Sequence, residues 1–301
     1  MELWIPFTLA AAFLQNLRSV LQRRLKGRLS TSGAAFSRFV YALPLAWAAL
    51  GLWVAATGEA TPAPPPVFWA WAAAGGLSQI LFTVVLLWMF SFRSFAVGTT
   101  FSKLEVLMVA ALGAVLLGDG LSGPAVAAIA LGALGAAALG FSETRLTPGA
   151  LLRGLGERAT GAGLLCAALL GASSVFFRGA TLSLEGASTG MAALFALACA
   201  LTLQTAMMGA WFAAAERAQG LTVLREWRAA APAGAVGMAC SACWFTAFTL
   251  QNAAYVRALG QVELLFAFAS GALIFRERIS RAEGVGVALI GGAIVLLLLA
   301  G

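Results

Sequence analysis

Long apolar runs separated by short polar breaks organise the whole 301-residue chain. A bilayer-spanning helix needs about 20 mostly apolar residues. Runs of that kind occupy 3–21, 34–56, 67–90, 96–117 and 123–141, then 160–182, 187–215, 230–254, 259–275 and 284–300. The pattern predicts an all-α integral membrane protein with ten transmembrane helices: five in residues 1–141, a linker at 142–159, and five in 160–301. The seventh run is longer than a bilayer requires, so its helix tilts or protrudes.

The two groups of five repeat each other. Lys103-Leu-Glu105-Val-Leu leads to Gly113 and closes with Leu117, Asp119, Leu121 and Ser122. Gln261-Val-Glu263-Leu-Leu leads to Gly271 and closes with Phe275, Glu277, Ile279 and Ser280, which sets the two glutamates 158 residues apart (263 − 105). An odd number of spans per copy makes the second enter the membrane in the opposite sense, an inverted repeat of the kind transporters build around a midplane site.

Loop charge gives the same orientation independently. Arg23, Arg24, Lys26 and Arg28 follow the first span, and Arg93, Arg145, Arg153 and Arg158 follow the third and fifth. Arg217, Arg225, Arg228, Arg276, Arg278 and Arg281 follow the seventh and ninth, whereas the opposite loops offer Arg257 beside Glu59, Asp119 and Glu185. The positive-inside rule places the basic loops in the cytoplasm and both termini outside, periplasmic in a bacterium. The net charge of +7 is therefore an orientation signal and not a nucleic-acid surface. The start of the chain lacks a basic region before its apolar run, so the first span is expected to be a permanent helix.

Composition removes whole classes of chemistry. Hydrophobic residues make up 61% and charged residues 10%, against roughly 25% charged in soluble domains. With no histidine, Ser/His/Asp and Cys/His catalysis and histidine-ligated metals are unavailable. No GxxxxGK[ST] sequence provides an ATP motor. Cys166, Cys199, Cys240 and Cys243 fall inside apolar runs, where small-residue packing outweighs metal or redox chemistry. The expectation is a non-enzyme without cofactor or metal, driven by a solute gradient, a coupled ion or another subunit.

Charges inside spans face a bundle interior or a wet cavity. Lys103 lies near the middle of its span, and Glu105 two residues on points away from it, so each needs a partner on another helix; Glu263 is the candidate for Lys103. Glu105 and Glu263 are read either as coupling groups or as interhelical salt-bridge partners. Asn16, Ser19, Tyr41, Ser78, Gln79, Lys103 and Ser174, with the aromatics Phe82, Trp244 and Phe248, form the candidate substrate-binding set. An apolar wall with a few placed polar groups suits a small molecule. Gln15, Ser173, Ser241, Gln251 and Asn252 join the polar lining. Arg18, Arg38 and Arg178 lie near span ends, where snorkelling to the headgroups is expected. Trp4, Trp53, Trp69 and Trp71 read as interface anchors. Small-residue stripes at Gly132, Ala136 and Gly140 and at Gly284, Ala288 and Gly292 suit close helix contact, within one monomer or, as the alternative, in a dimer.

The ten spans, the acid-ending repeat (Gly113 to Asp119, Gly271 to Glu277) and Gly291-Gly292 resemble the drug/metabolite transporter superfamily in its EamA-type branch. The chain is most similar there to the bacterial aromatic amino acid exporters of the YddG type. The resemblance covers the whole chain. It implies a basket of helices around a central cavity, inner-membrane location, and export of aromatic or other hydrophobic amino acids. The first span carries Leu14, Gln15 and Asn16 where the small multidrug antiporters of the superfamily have a glutamate, which disfavours proton-for-cation exchange. A carrier for another metabolite or drug, or a non-transporting membrane scaffold, is the alternative reading.

Overall fold

The computed structural model describes residues 2–23, 25, 28–89, 101–144, 157–266, 269 and 281–300. Among them twelve helices follow in order: α1 (Trp4–Arg23), α2 (Thr31–Val40), α3 (Leu43–Thr57), α4 (Pro66–Met89), α5 (Glu105–Leu117), α6 (Gly123–Thr144), α7 (Arg158–Leu182), α8 (Thr189–Ala215), α9 (Arg217–Arg225), α10 (Trp227–Leu250), α11 (Ala253–Gly260) and α12 (Arg281–Ala300). The protein is all-α and crosses a membrane several times. Among the described residues five segments are long and apolar enough for a crossing: Ser32–Thr57, Pro66–Leu86, Arg158–Leu182, Thr189–Ala215 and Trp227–Leu250. Glu105–Leu117, Gly123–Leu139 and Gly284–Leu299 are shorter apolar helices.

Ten spans were expected, and five are found among the described residues. Helix α1 carries Gln15, Asn16, Arg18, Ser19 and Gln22 on an otherwise apolar run. The fourth span is interrupted by a turn at Lys103-Leu104, and the ninth by a turn at Gln261, with helical backbone resuming at 262–266. The eighth span ends at Leu250 and α11 starts at Ala253, well before the expected 259. Gln251 is extended there, and the Asn252 side chain caps α11 by accepting from the Ala254 N–H at 2.8 Å. The Gly271–Ser280 closing motif lies outside the described residues.

Several helix starts recur at the 158-residue spacing. Ser30 caps α2, its Oγ accepting from the Gly33 N–H at 3.0 Å, and Ser188 caps α8, accepting from the Met191 N–H at 3.3 Å. Such caps satisfy one of the orphan donors of a first turn. Helices α6 and α12 begin at Gly123 and Arg281, again the same distance apart. Inside the second span, Pro44 in the first turn of α3 has no N–H to continue the ladder, and the helix breaks at Tyr41-Ala42.

Two compact units emerge, and each draws on both sequence halves. One comprises 1–80 and 176–251, the other 81–175 and 252–301. In the first, α8 is enclosed by α2, α3, α9 and α10, and its core joins Phe36 to Phe212 (5.1 Å between ring centres), Phe68 to Phe195 (5.6 Å) and Phe177 to Phe245 (4.7 Å). Glycines let aromatic rings approach: Gly75 faces Phe177, Gly179 faces Trp71, and Gly190 faces Trp53. Trp4 is buried, Trp53 and Trp71 are half-buried, and Trp69 is exposed.

In the second unit α6 lies along α12, and α11 packs on α5, α6 and α12. A Cβ on Gly135 would meet the Ile290 nitrogen at 2.9 Å and the Gly286 oxygen at 3.0 Å, so the two backbones nearly touch. The small residues thus serve contact within one monomer, as expected, with Gly135 and Gly286 as the closest points and Gly284 in open space.

Candidate functional site

The second unit holds a charge cluster built on helix ends. Glu105 occupies the first turn of α5, directly after the Lys103-Leu104 turn, and Arg257 the last turn of α11. Each charge complements the dipole of its own helix end. The two side chains form a salt bridge, with 9% and 17% exposure for Arg257 and Glu105. Glu263 acts on the same guanidinium with an attractive charge. Arg257 is therefore paired with Glu105 and lies within electrostatic reach of Glu263, the matching acid of the repeat.

Arg257, expected in a loop, lies on α11 because the chain breaks at Gln251-Asn252 and resumes as helix at Ala253. The signals were there: an asparagine cap, then an arginine three residues before Gly260. Glu263 was expected to approach Lys103; it also lies within electrostatic reach of Arg257. Lys103 stands in the turn, half-buried. Of the other candidates in this unit, Ser174 is buried with its hydroxyl donating to the Leu170 carbonyl at 3.3 Å, and Phe82 is half-buried on α4. Asn252 is a capping residue and also donates to the Gly120 carbonyl at 3.4 Å.

The first unit gathers amides and aromatics. Trp244 Nε1 donates to Gln15 Oε1 at 3.2 Å across the packed pair α1 and α10, and the Trp244 ring stacks on Phe248, with centres 5.7 Å apart and 20° between planes. Gln204 of α8, which sequence reasoning missed, is buried and donates to Gln79 Oε1 at 2.7 Å. Its amide sits in the middle of an apolar helix, the kind of position that marks function inside a membrane. Ser78 is buried beside Gln79, and Asn16 is half-buried on α1. Ser19 is exposed and bonded back to the Gln15 carbonyl at 2.9 Å. Tyr41 holds the α2/α3 break to α9, its hydroxyl donating to the Val223 carbonyl at 2.8 Å.

The arginines expected to snorkel turn inward instead. Arg178 donates from Nη1 to the carbonyls of Phe248 and Gln251, both at 2.6 Å. It thereby satisfies the orphan carbonyls at the end of α10. Arg18 lies against α10 at Gly237, and the Arg38 guanidinium stands 4.7 Å from the Phe39 ring centre. Outside the apolar segments, Glu59 ties the α3–α4 loop to α8: it accepts from the Ser188 hydroxyl (2.5 Å), the Ser188 N–H (2.7 Å) and Trp53 Nε1 (3.2 Å). The Ser188 bonds, with help from Trp53, hold its carboxyl below the ordinary range.

No protein-family model matches this chain, and no curated protein matches it. Twenty-seven solved chains do match. One, described only as "Crystal structure of protein", superposes with a TM-score of 0.71 at 17% identity and covers 99% of this chain and 98% of its own. At that identity the likeness establishes a shared fold over the full length and nothing finer.

Proposed function

We propose that the chain is a secondary carrier of the drug/metabolite transporter superfamily, EamA-type branch, similar to the YddG-type exporters. On this reading it moves aromatic or other hydrophobic amino acids out across the bacterial inner membrane by alternating access, and it is not an enzyme. The observation that carries the proposal is the pair of interrupted apolar helices. The turn at Lys103-Leu104 and the turn at Gln261 stand at equivalent places of the repeat, each followed by a glutamate at 105 or 263. Interrupted backbone at membrane depth is tolerated only inside protein or beside water. Paired interruptions in duplicated halves mark solute sites in transporters of several folds.

Within the first unit, Trp244 and Phe248 offer an aromatic surface with Gln15 at its edge, which suits a solute that carries a ring. Burying about 200 Å² of ring at about 25 cal/mol per Å² gives roughly 5 kcal/mol, near the low end of the association cost. Affinity is then weak, as suits a carrier that must release its cargo. The test is flux of labelled tryptophan, phenylalanine and unrelated metabolites in proteoliposomes. Selective movement of the aromatic amino acids is expected; selective movement of another solute reassigns the cargo, and no flux of any solute under an imposed gradient favours the scaffold.

A further inference from the structure

Helix α9 joins two long apolar helices of the first unit, with Glu216 between it and α8 and Glu226 between it and α10. It folds back on α8. Eight residues of unbroken helix would set 212 and 220 about 12 Å apart, yet a Cβ on Gly220 would stand 3.1 Å from the Phe212 Cβ. The inner face of α9 is occupied: Val223 is fully buried, a Cβ on Gly33 would meet its Cγ2 at 3.2 Å, and its carbonyl accepts from the Tyr41 hydroxyl at 2.8 Å. The outer face differs in kind. Arg217, Leu221, Leu224 and Arg225 follow at i, i+4, i+7 and i+8, along one side of a helix, and all four are exposed. Trp227 and Arg228, which open α10, are exposed as well, with the Arg228 guanidinium 5.4 Å from the Trp227 ring centre. Leu221, Leu224 and Trp227 keep 45%, 51% and 53% of their surface open. The bordering acids are engaged elsewhere: Glu216 accepts from the Ser32 hydroxyl at 3.5 Å, and Glu226 pairs with Arg28 at 3.3 Å. Among the described residues, Arg217, Arg225 and Arg228 take part in no ion pair.

Open leucines and a tryptophan are costly in water, and unpaired arginines are costly in hydrocarbon. The boundary between the two suits both: apolar side chains enter the upper acyl region, tryptophan settles at the headgroups, and guanidinium groups bind phosphate oxygens bidentately. Helix length puts α9 at that boundary. With 27 residues α8 is about 40 Å long, enough to cross a hydrocarbon core of about 30 Å and run on into the headgroup layer. We infer that the outer face of α9, together with Trp227 and Arg228, lies in the headgroup layer and binds anionic phospholipid. Loop charge assigns this side to the cytoplasm, where anionic lipid gives the leaflet its negative surface. The inference needs a membrane and no particular cargo.

The experiment has two arms, both on the full-length protein. In detergent, thermal unfolding is followed while phosphatidylglycerol, or phosphatidylcholine of the same chain length, is titrated in. Phosphatidylglycerol should stabilise the wild-type protein more than phosphatidylcholine does, and the difference should shrink in high salt. The concentration giving half the effect should rise about fivefold in each of Arg217→Gln, Arg225→Gln and Arg228→Gln. The triple lysine variant should keep most of the preference, since charge carries the attraction. In nanodiscs, the fluorescence lost in Trp227→Phe isolates the emission of Trp227. That emission should be quenched by lipid brominated in the upper acyl chain and spared by acrylamide in the water. Equal response of the wild-type protein to the two lipids overturns the proposal, and so does an undiminished preference in the triple glutamine variant. Quenching of Trp227 by acrylamide and not by brominated lipid overturns it too, placing α9 in water. The first and last of these results need no arginine variant to fold. Amino acid flux bears on neither arm, so the lipid site and the transport reading stand or fall separately.

Discussion

Replacing Arg257 by glutamine should destabilise the protein more than replacing Glu105 by glutamine. The reason is that one cation is paired with one acid and lies within electrostatic reach of another. Arg257 and Glu105 keep only 9% and 17% of their side-chain surface exposed, so solvent screens little of their interaction. Arg257→Gln leaves the Glu105 carboxylate without its guanidinium, and removing one partner of a buried pair costs about 3–5 kcal/mol. Glu105→Gln leaves the guanidinium within reach of Glu263 and beside a neutral acceptor, a loss closer to that of one charged hydrogen bond, about 1.5–3 kcal/mol. The double variant should be more stable than Arg257→Gln alone, because the carboxylate that lost its cation is gone as well. Midpoints of thermal unfolding, followed by loss of monodisperse protein in detergent, give the ranking. An Arg257→Gln midpoint at or above that of Glu105→Gln would refute this arrangement.

Three further outcomes follow from other places in the molecule. Lys103→Ala should lower amino acid flux about tenfold or more with undiminished protein in the membrane; unchanged flux removes Lys103 from the mechanism. Gly135→Ala places a Cβ against backbone atoms at 2.9 and 3.0 Å and should cost about 1–3 kcal/mol, whereas Gly291→Ala, with nothing within 4 Å, should stay within about 0.5 kcal/mol of wild type; equal midpoints for the two variants contradict the close α6–α12 approach. Glu59 has its carboxyl held below the ordinary value of 4.5, so its contribution to stability is complete above that value and disappears as pH falls through the lowered one. Glu59→Gln should flatten this acid limb of the unfolding midpoint, and an unchanged limb would show that the Ser188 bonds do not hold the loop.

The sequence made long helices legible because apolar length is a local property, and Gly123 opens α6 where the fifth run was placed. The serine caps of α2 and α8 at Ser30 and Ser188 came from the structure. The interruptions were hidden for a physical reason: Lys103-Leu104 and Gln261 sit within apolar runs whose hydropathy continues across the turn. Charge pattern alone also misled. Arg178 and Arg18 look like headgroup-seeking side chains by position, and only the packing of α7 and α10, or the space beside Gly237, reveals their inward course. Arg257 was misassigned through one misplaced boundary, since a cap at Asn252 turns a loop arginine into a helix-end arginine. Of the candidate set, Gln15, Trp244 and Phe248 come together, and Gln79 finds Gln204, a partner no spacing rule reaches. Tyr41, Ser174 and Asn252 carry backbone or capping bonds that sequence cannot distinguish from lining roles.

Solute counterflow reaches the central proposal most directly. Proteoliposomes preloaded with unlabelled tryptophan and diluted into a trace of labelled tryptophan should accumulate label transiently above equilibrium, because a carrier that reorients with cargo exchanges one molecule for another. The overshoot should shrink in Lys103→Ala. Absence of counterflow with tryptophan, phenylalanine and every other amino acid offered would contradict an amino acid carrier working by alternating access.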